Sequence, residues 1–236
     1  MTWKLRGTAV AAAVLLAGCE VAPVETTAPV PRGEVVDRLD GRTAVENFVT
    51  VVERVEPVAE QACREQTDGM NCDFQIAVDT RRTQPPNAFQ TLDRSGRPVV
   101  GLTIALIADA RNQDELAFIL GHEMAHHIEG HLPRTQQTAA AGAIIAGTLA
   151  QIGGVNPELV RTAQNVGATV GARQFSKGFE LEADALGARI AARAGYDPVR
   201  GARYFERLPD PGNRFLGSHP PNADRIETVA AAVGRG

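Results

Sequence analysis

The sequence predicts an α+β fold that is mostly helical, with one small antiparallel sheet. Three observations predict it. Apolar residues recur at spacings of three and four from Arg42 onward, which is typical of an amphipathic helix. Short alternating runs are confined to 74–102, and the chain beyond 104 is a series of helical patterns separated by glycine and proline. With 236 residues and 44% hydrophobic residues, the chain is long enough for a sizeable core.

The first 18 residues are predicted to be a secretory signal peptide. Lys4 and Arg6 precede a short apolar run at 8–17, and small residues lead to Cys19. The sequence Leu-Ala-Gly-Cys at 16–19 resembles the lipobox of bacterial lipoproteins, which implies that Cys19 is lipidated and becomes the first mature residue. An ordinary signal peptide with a chance cysteine is the alternative.

Residues 19–41 are predicted to be a lipidated cysteine followed by a flexible tether, because they contain scattered prolines and no pattern that would bury one face. The domain is then 42–236. Glu20 follows Cys19 where aspartate would be the usual inner-membrane retention signal. By that resemblance, the protein is expected at the outer membrane, facing the periplasm.

A helix is predicted from Arg42, with Pro57 ending or kinking it and 58–66 continuing to Cys63. An oxidising compartment favours a disulfide between Cys63 and Cys72, and two free buried thiols are the alternative.

The predicted sheet lies between Phe74 and Leu102. The run 74–78 alternates, and 87–90 and 98–102 flank a turn at Asp93–Gly96. A short apolar helix is expected at 104–110.

The next helix carries the motif around which the chain is organised, His-Glu-x-x-His at 122–126. Asn112 is expected to cap its start and Gly130 to end it. Residues four apart share a helix face, so His122 and His126 can bind one metal ion. Glu123 borders that ion and can take a proton from the attacking water.

Residues 138–154 are rich in Ala, Gly and Ile and nearly uncharged. They predict a buried or edge-packed helical hairpin that continues to Thr169, and membrane-surface contact or a lid over the site is the alternative. Further helices are expected at 175–194, 198–208 and 224–233, with a Pro- and Gly-rich loop at 209–221.

A catalytic zinc site normally has three protein ligands and one open position. His131 is one residue out of register for the class that supplies a third histidine six residues after the second, so His127 and His131 are interpreted as polar-face or cap residues. A second helix offers Glu180 as the third ligand. Asp184 shares its face and can hydrogen-bond a histidine ligand, whereas Glu182 points elsewhere.

With these residues the chain resembles the zinc metallopeptidases that include HtpX and the CAAX prenyl proteases (peptidase family 48 of the metallo class), especially their secreted lipoprotein members. The matching stretches are 114–118 leading into 122–126, 176–180 with 183, 184 and 187, 194–198, and 218–220 with 225 and 226. The resemblance implies a zincin-like metallopeptidase domain and one Zn²⁺ per chain.

Two roles follow from the resemblance: His122, His126 and Glu180 are zinc ligands, and Glu123 is the general base. The implied reaction is peptide-bond hydrolysis. His219 and Arg225 are the candidates for a further donor to the oxyanion. The resemblance also implies that the loop at His219 reaches the zinc and holds the enzyme latent. The runs 87–90 and 99–102 are expected to offer a strand edge to an extended peptide.

The sequence therefore predicts a zinc endopeptidase acting on envelope proteins, misfolded or stalled ones in particular. The alternative is a non-proteolytic, chaperone-like or assembly-binding lipoprotein with a structural or gating zinc. A net charge of −4 and 24 scattered basic residues argue against nucleic acid as a partner.

Overall fold

The computed structural model describes residues 39–174, 176–212 and 219–234. The predicted signal peptide, Cys19 and the tether as far as residue 38 lie outside the described residues, as do Phe175 and Ser218. The elements, in chain order, are α1 (Gly41–Gln66), β1 (Gln75–Asp79), β2 (Ala88–Leu92), β3 (Pro98–Thr103), α2 (Ile104–Asp109), α3 (Gln113–Ile128), α4 (His131–Ile152), α5 (Pro157–Gln174), α6 (Ser176–Arg193), α7 (Pro198–Ala202), a 3₁₀ helix (Arg203–Arg207) and α8 (Asn222–Ala232).

The α+β, mostly helical class is confirmed. Helix α1 begins one residue earlier than predicted, because the Asp40 side chain accepts hydrogen bonds from the backbone N–H groups of Arg42 and Thr43. It also continues through Pro57 as one helix to Gln66.

The sheet is mixed rather than wholly antiparallel, with strand order β1-β3-β2. The turn at 93–96 joins β2 to β3 as an antiparallel pair, as predicted, with Ala88 opposite Leu102. Strand β1 pairs with β3 in parallel, with Gln75 opposite Val99. Alternation within a strand shows which side chains share a face but not which strand lies next to it, so the sequence pattern did not show this parallel pair.

Helix α3 runs through the middle of the domain, and α1, α6, α7 and the sheet all pack against it. The main core includes Val55 of α1, Leu120 and Met124 of α3, and Leu186 of α6, none of them more than 1% exposed. A smaller cluster under α7 and α8 includes Phe118 and Val229. The helix that carries the histidine motif is therefore mostly buried.

Cys63, in the last turn of α1, forms a disulfide with Cys72, and their Cα atoms lie 5.8 Å apart. The bridge ties the end of α1 to the segment that leads into β1.

Helices α4 and α5 form the predicted hairpin and pack along each other. Burial, one of the two placements expected for it, is wrong, because most of its large apolar side chains are exposed. The hairpin lies at the edge of the domain, against α3 and α6. Among the helices within the described ranges, none is both long enough and apolar enough to cross a bilayer.

Candidate metal centre and active site

Helix α3 begins at a polar cap that fixes where the histidine motif lies. The Asn112 side chain accepts a hydrogen bond from the backbone N–H of Glu115, as predicted. The Glu115 carboxylate accepts one from the backbone N–H of Arg111 and two from the Arg207 guanidinium, at 2.8 Å each. From this start the motif begins about two and a half turns later, where α3 reaches a cleft.

Three side chains from two helices direct their ligand atoms at one point. The Nε2 atoms of His122 and His126 lie 3.0 Å apart. The Glu180 carboxylate oxygens lie 3.7 Å from His122 Nε2 and 3.5 Å from His126 Nε2. Two ligand atoms that are each ~2.0–2.1 Å from one tetrahedral metal ion are about 3.3 Å from each other. The observed distances between the ligand atoms are close to this value, so the three side chains could bind one such ion.

Glu180 reaches the histidines because α3 and α6 touch backbone to backbone. A Cβ at Gly187 would lie 2.7 Å from the His122 nitrogen, and one at Gly121 would lie 2.8 Å from the Gly187 carbonyl oxygen. Glu180 is seven residues before Gly187, which is two helical turns on the same face. The glycine contact therefore sets the distance across which the three ligand atoms meet.

Asp184 lies beside His122, where the sequence places a hydrogen-bond acceptor. Its Oδ1 is 2.9 Å from His122 Nδ1, although the ring N–H does not point directly at the oxygen. Burial lowers the pKa of His122, but the hydrogen bond and charge of Asp184, together with the charge of Glu180, outweigh it, so the net shift is upward. Arg225 donates two hydrogen bonds of 2.7 Å to Asp184, so this buried carboxylate is paired.

His126 has a partner that sequence reasoning missed. Its Nδ1 lies 2.8 Å from Nδ1 of His131, whose Nε2 lies 3.0 Å from the Glu182 carboxylate. His131 is only 4% exposed and stacks on Phe179, with ring centroids 4.7 Å apart and planes inclined by 11°. Arg134 donates to the same carboxylate, at 2.6 Å.

The protons along this chain of contacts can be assigned. A carboxylate only accepts, so His131 Nε2 carries the proton that goes to Glu182, and Nδ1 of His131 is an acceptor. His126 then donates from Nδ1, which leaves the lone pair of its Nε2 free to face Glu180. Glu182 points away from the ligand atoms, as predicted, but toward His131.

No spacing rule reveals this contact. Gly130 adopts a left-handed conformation, with φ of 64°, and turns the chain so that α4 starts against α3. His131, the first residue of α4, is thereby folded back onto His126. The interpretation of His131 as a polar-face or cap residue is wrong, because its ring is buried and contacts His126.

Glu123 lines the wall of a cavity of about 420 Å³ together with the three possible ligands. Burial raises the pKa of Glu123 to about 6. Burial also raises the pKa of Glu180, but the hydrogen bond from His219 and the charges of His122 and Arg225 outweigh it and bring the pKa to about 2. One carboxylate is thus suited to exchange a proton near neutral pH, and the other stays ionised.

His219 and Arg225 both reach this cavity. His219 Nδ1 lies 3.2 Å from Glu180 Oε2, and the His219 side chain is 54% exposed. Arg225 Nη2 lies 3.4 Å from the same oxygen, and its guanidinium stacks 3.7 Å above the Phe205 ring. The structure therefore brings the proposed ligands, Glu123, His219 and Arg225 to one cleft, with Asp184 buried behind His122.

One strand edge beside the cleft is unpaired within the described part of the sheet. Strand β3 is central, so the expectation that 99–102 offers an edge is wrong. Strand β2 is an outer strand: Asn87 and Ala88 line the large cavity, and Gln90 and Leu92 line a second cavity of about 240 Å³. His126 borders both cavities, so a peptide along β2 would pass the ligand atoms.

Comparison with known proteins places the chain in a family. The sequence model of peptidase family M48 matches residues 48–233. A mitochondrial metalloendopeptidase OMA1 of Arabidopsis thaliana is 31% identical over 131 residues, and a beta-barrel assembly-enhancing protease of Yersinia pestis is 30% identical over 135 residues. These matches cover 54% and 52% of this chain and 26% of each relative.

The metalloprotease LoiP of Escherichia coli strain K12 is 28% identical over 148 residues, which cover 61% of this chain and 57% of LoiP. The chain thus spans between a quarter and three fifths of the length of these relatives.

Proposed function

The chain belongs to peptidase family M48 and is a metalloprotease, and we propose that it is a zinc-dependent endopeptidase of the bacterial cell envelope that cleaves misfolded or stalled proteins. The observation that carries the proposal is the convergence of His122, His126 and Glu180 on one point beside Glu123. Two neutral imidazoles and one carboxylate with an open fourth side form a set that catalytic zinc uses.

In this proposal His122, His126 and Glu180 hold the zinc ion. The ion supplies Lewis acidity, which lowers the pKa of water and polarises the scissile carbonyl. Glu123 accepts the proton of the attacking water and returns it to the leaving amine. Arg225 keeps Asp184 paired beside His122 and extends into the cleft, where a cation stabilises an oxyanion.

The substrate is held as an extended strand along β2. Its backbone pairs with the outer edge of β2, whose residues line the two cavities, and its side chains alternate between the two faces of the extended sheet. Main-chain pairing is largely independent of sequence, which suits an enzyme that acts on misfolded chains.

The envelope location rests on two supports. One is the lipobox-like sequence ending at Cys19, which implies a lipid anchor and a periplasmic domain. The other is the similarity to proteins named for beta-barrel assembly in Yersinia pestis and Vibrio cholerae. On this basis the substrates are periplasmic or outer-membrane proteins.

Replacement of Glu123 by glutamine tests the peptidase. We expect zinc to stay bound and cleavage of an unfolded outer-membrane protein to fall about 10²- to 10⁴-fold, since only the general base is lost. The same variant expressed in its own envelope is expected to retain substrates that crosslinking and mass spectrometry can identify. Unchanged cleavage by zinc-loaded Glu123→Gln protein would refute this mechanism, and unchanged envelope function would point to a chaperone-like role.

His219 is proposed to hold the enzyme latent, because its ring lies against Glu180 on the cleft side. Replacement of His219 by alanine is then expected to speed the cleavage of a short unstructured peptide, measured at saturating zinc. Slower cleavage would instead make His219 a donor to the oxyanion.

A further inference from the structure

The hairpin of α4 and α5 carries its large apolar side chains on the outside. Along α4, Ile144, Ile145, Leu149 and Ile152 are between 62% and 79% exposed. On α5 and the turn before it, the exposed apolar residues are Val155, Leu159 and Val166. At 3.6 residues per turn, the four α4 residues fall within less than half of the helix circumference. They form one continuous apolar face, which we call the outer face of the hairpin.

Glycines lie where the two helices of the hairpin contact each other. A Cβ at Gly142 would collide with the backbone of Gly167, and a Cβ at Gly171 would collide with the carbonyl of Thr138. Gly167 and Gly171 are four residues apart and so lie on one face of α5. The two helices therefore meet backbone to backbone, with no large side chain between them at these positions.

This arrangement of small side chains inside and large apolar side chains outside is the reverse of the one that is stable in water. In water the large apolar side chains of a helix pair pack between the helices, because that removes most apolar area from solvent. In lipid that driving force is absent, and small residues bring the backbones into contact while larger apolar ones face the acyl chains. Glycines inside and isoleucines outside fit a lipid environment.

The composition of the hairpin favours lipid over a protein as the partner of the outer face. Residues 135–157 contain no charged side chain, and 135–174 contain no aromatic one. Protein interfaces draw most of their energy from Trp, Tyr and Arg anchors, and the outer face has none of these. The nearest charged residues, Arg134, Glu158 and Arg161, flank the uncharged stretch, where long side chains can reach headgroups.

We infer that the outer face of the hairpin docks on a lipid bilayer and sinks its isoleucines to the boundary between headgroups and acyl chains. Interfacial helices bury an apolar face in this way without crossing the membrane. Helix α4 follows α3 through Gly130, and α5 leads into α6, so both helices that supply metal ligands continue into this surface. Docking then orients the cleft relative to the membrane, and it does not depend on the peptidase chemistry.

Tryptophan fluorescence tests this directly, because the only tryptophan of the chain is Trp3. The full chain carrying Trp3→Phe and Ile152→Trp is reconstituted with vesicles of phosphatidylethanolamine and phosphatidylglycerol, with and without brominated acyl chains. We expect a blue-shifted emission that the brominated lipid quenches. Adding Ile145→Asp and Leu149→Asp should weaken insertion at least about tenfold, since two apolar side chains that would be buried in the bilayer become charged.

The matched control is Trp3→Phe with Val78→Trp, because Val78 is also exposed but lies on β1. Its emission should stay that of a water-exposed tryptophan and should not be quenched. Emission from position 152 that is unquenched by brominated lipid overturns the inference. Equal quenching at both positions also overturns it. A blue shift without vesicles that grows with protein concentration would show a second copy of the chain on this face instead.

Discussion

The two ligand histidines are held by different kinds of partner. His122 is backed by a buried carboxylate, Asp184, which Arg225 neutralises in turn. His126 is backed by a second histidine, His131, which donates a hydrogen bond to the half-exposed carboxylate of Glu182. The contact with His131 places the proton of His126 on Nδ1. The Asp184 carboxylate beside His122 Nδ1 favours the same tautomer there, so Nε2 of each ring is left for a metal ion.

Replacement of His131 by phenylalanine tests this at His126. The variant keeps the ring volume and the stack on Phe179 but loses both nitrogens. We expect zinc to bind about 10- to 100-fold more weakly, the usual cost of losing a hydrogen-bond partner of a ligand histidine. Competition with a chelating dye measures the affinity without relying on activity.

The control for that variant is His127→Phe. His127 neighbours His126 in sequence, but its Nε2 contacts the Asn71 carbonyl and not the ligand atoms. Zinc affinity should be unchanged in this control. An equal loss in both variants would show a general disturbance of α3, and no loss in the His131 variant would remove the positioning role.

At the scale of elements, the site depends on how closely α6 approaches α3. The ligand atoms of Glu180 and of the two histidines belong to different helices, so a shift of one helix changes all the distances that involve Glu180. The closest approach is at Gly121 and Gly187, where even a methyl group would have to displace backbone. The packing of two glycines thus determines the geometry two turns away.

Replacement of Gly187 by alanine is expected to push α6 away from α3. The overpacking should lower the free energy of unfolding by about 1–3 kcal/mol and weaken zinc binding as well. Urea denaturation of the zinc-free protein measures the first effect, and dye competition measures the second.

Gly178→Ala is the matched control, because Gly178 lies on the same helix and a Cβ there meets nothing within 4 Å. It should stabilise the protein slightly, by about 0.4–1 kcal/mol, through the lower entropy of the unfolded chain. A Gly187 variant that behaves like this control would contradict the role of the contact.

For the whole molecule, local sequence patterns predict what depends on neighbouring residues. The helices, the cap at Asn112 and the face shared by Glu180 and Asp184 follow from helical periodicity. The parallel pairing of β1 with β3 and the return of His131 onto His126 do not, because they depend on how distant segments meet. The apolar sequence of the α4–α5 hairpin leaves burial and membrane contact both open for the same reason: it does not reveal whether protein or another medium surrounds it.

The same long-range organisation predicts how metal affects stability. The proposed ligands lie on α3 and α6, and the whole α4–α5 hairpin separates these helices along the chain. An ion that binds all three ties the two helices together only in the folded state, so zinc should stabilise the fold. At free zinc about 100-fold above its dissociation constant, the gain is ~2.7 kcal/mol. That corresponds to a rise of about 5–10 °C in the melting temperature of a domain of this size, measured by calorimetry with zinc and with a chelator.

The Glu180→Gln variant should melt at nearly the same temperature in both conditions. A wild-type melting temperature that is indifferent to the chelator would mean that the three side chains do not hold one ion between the two helices.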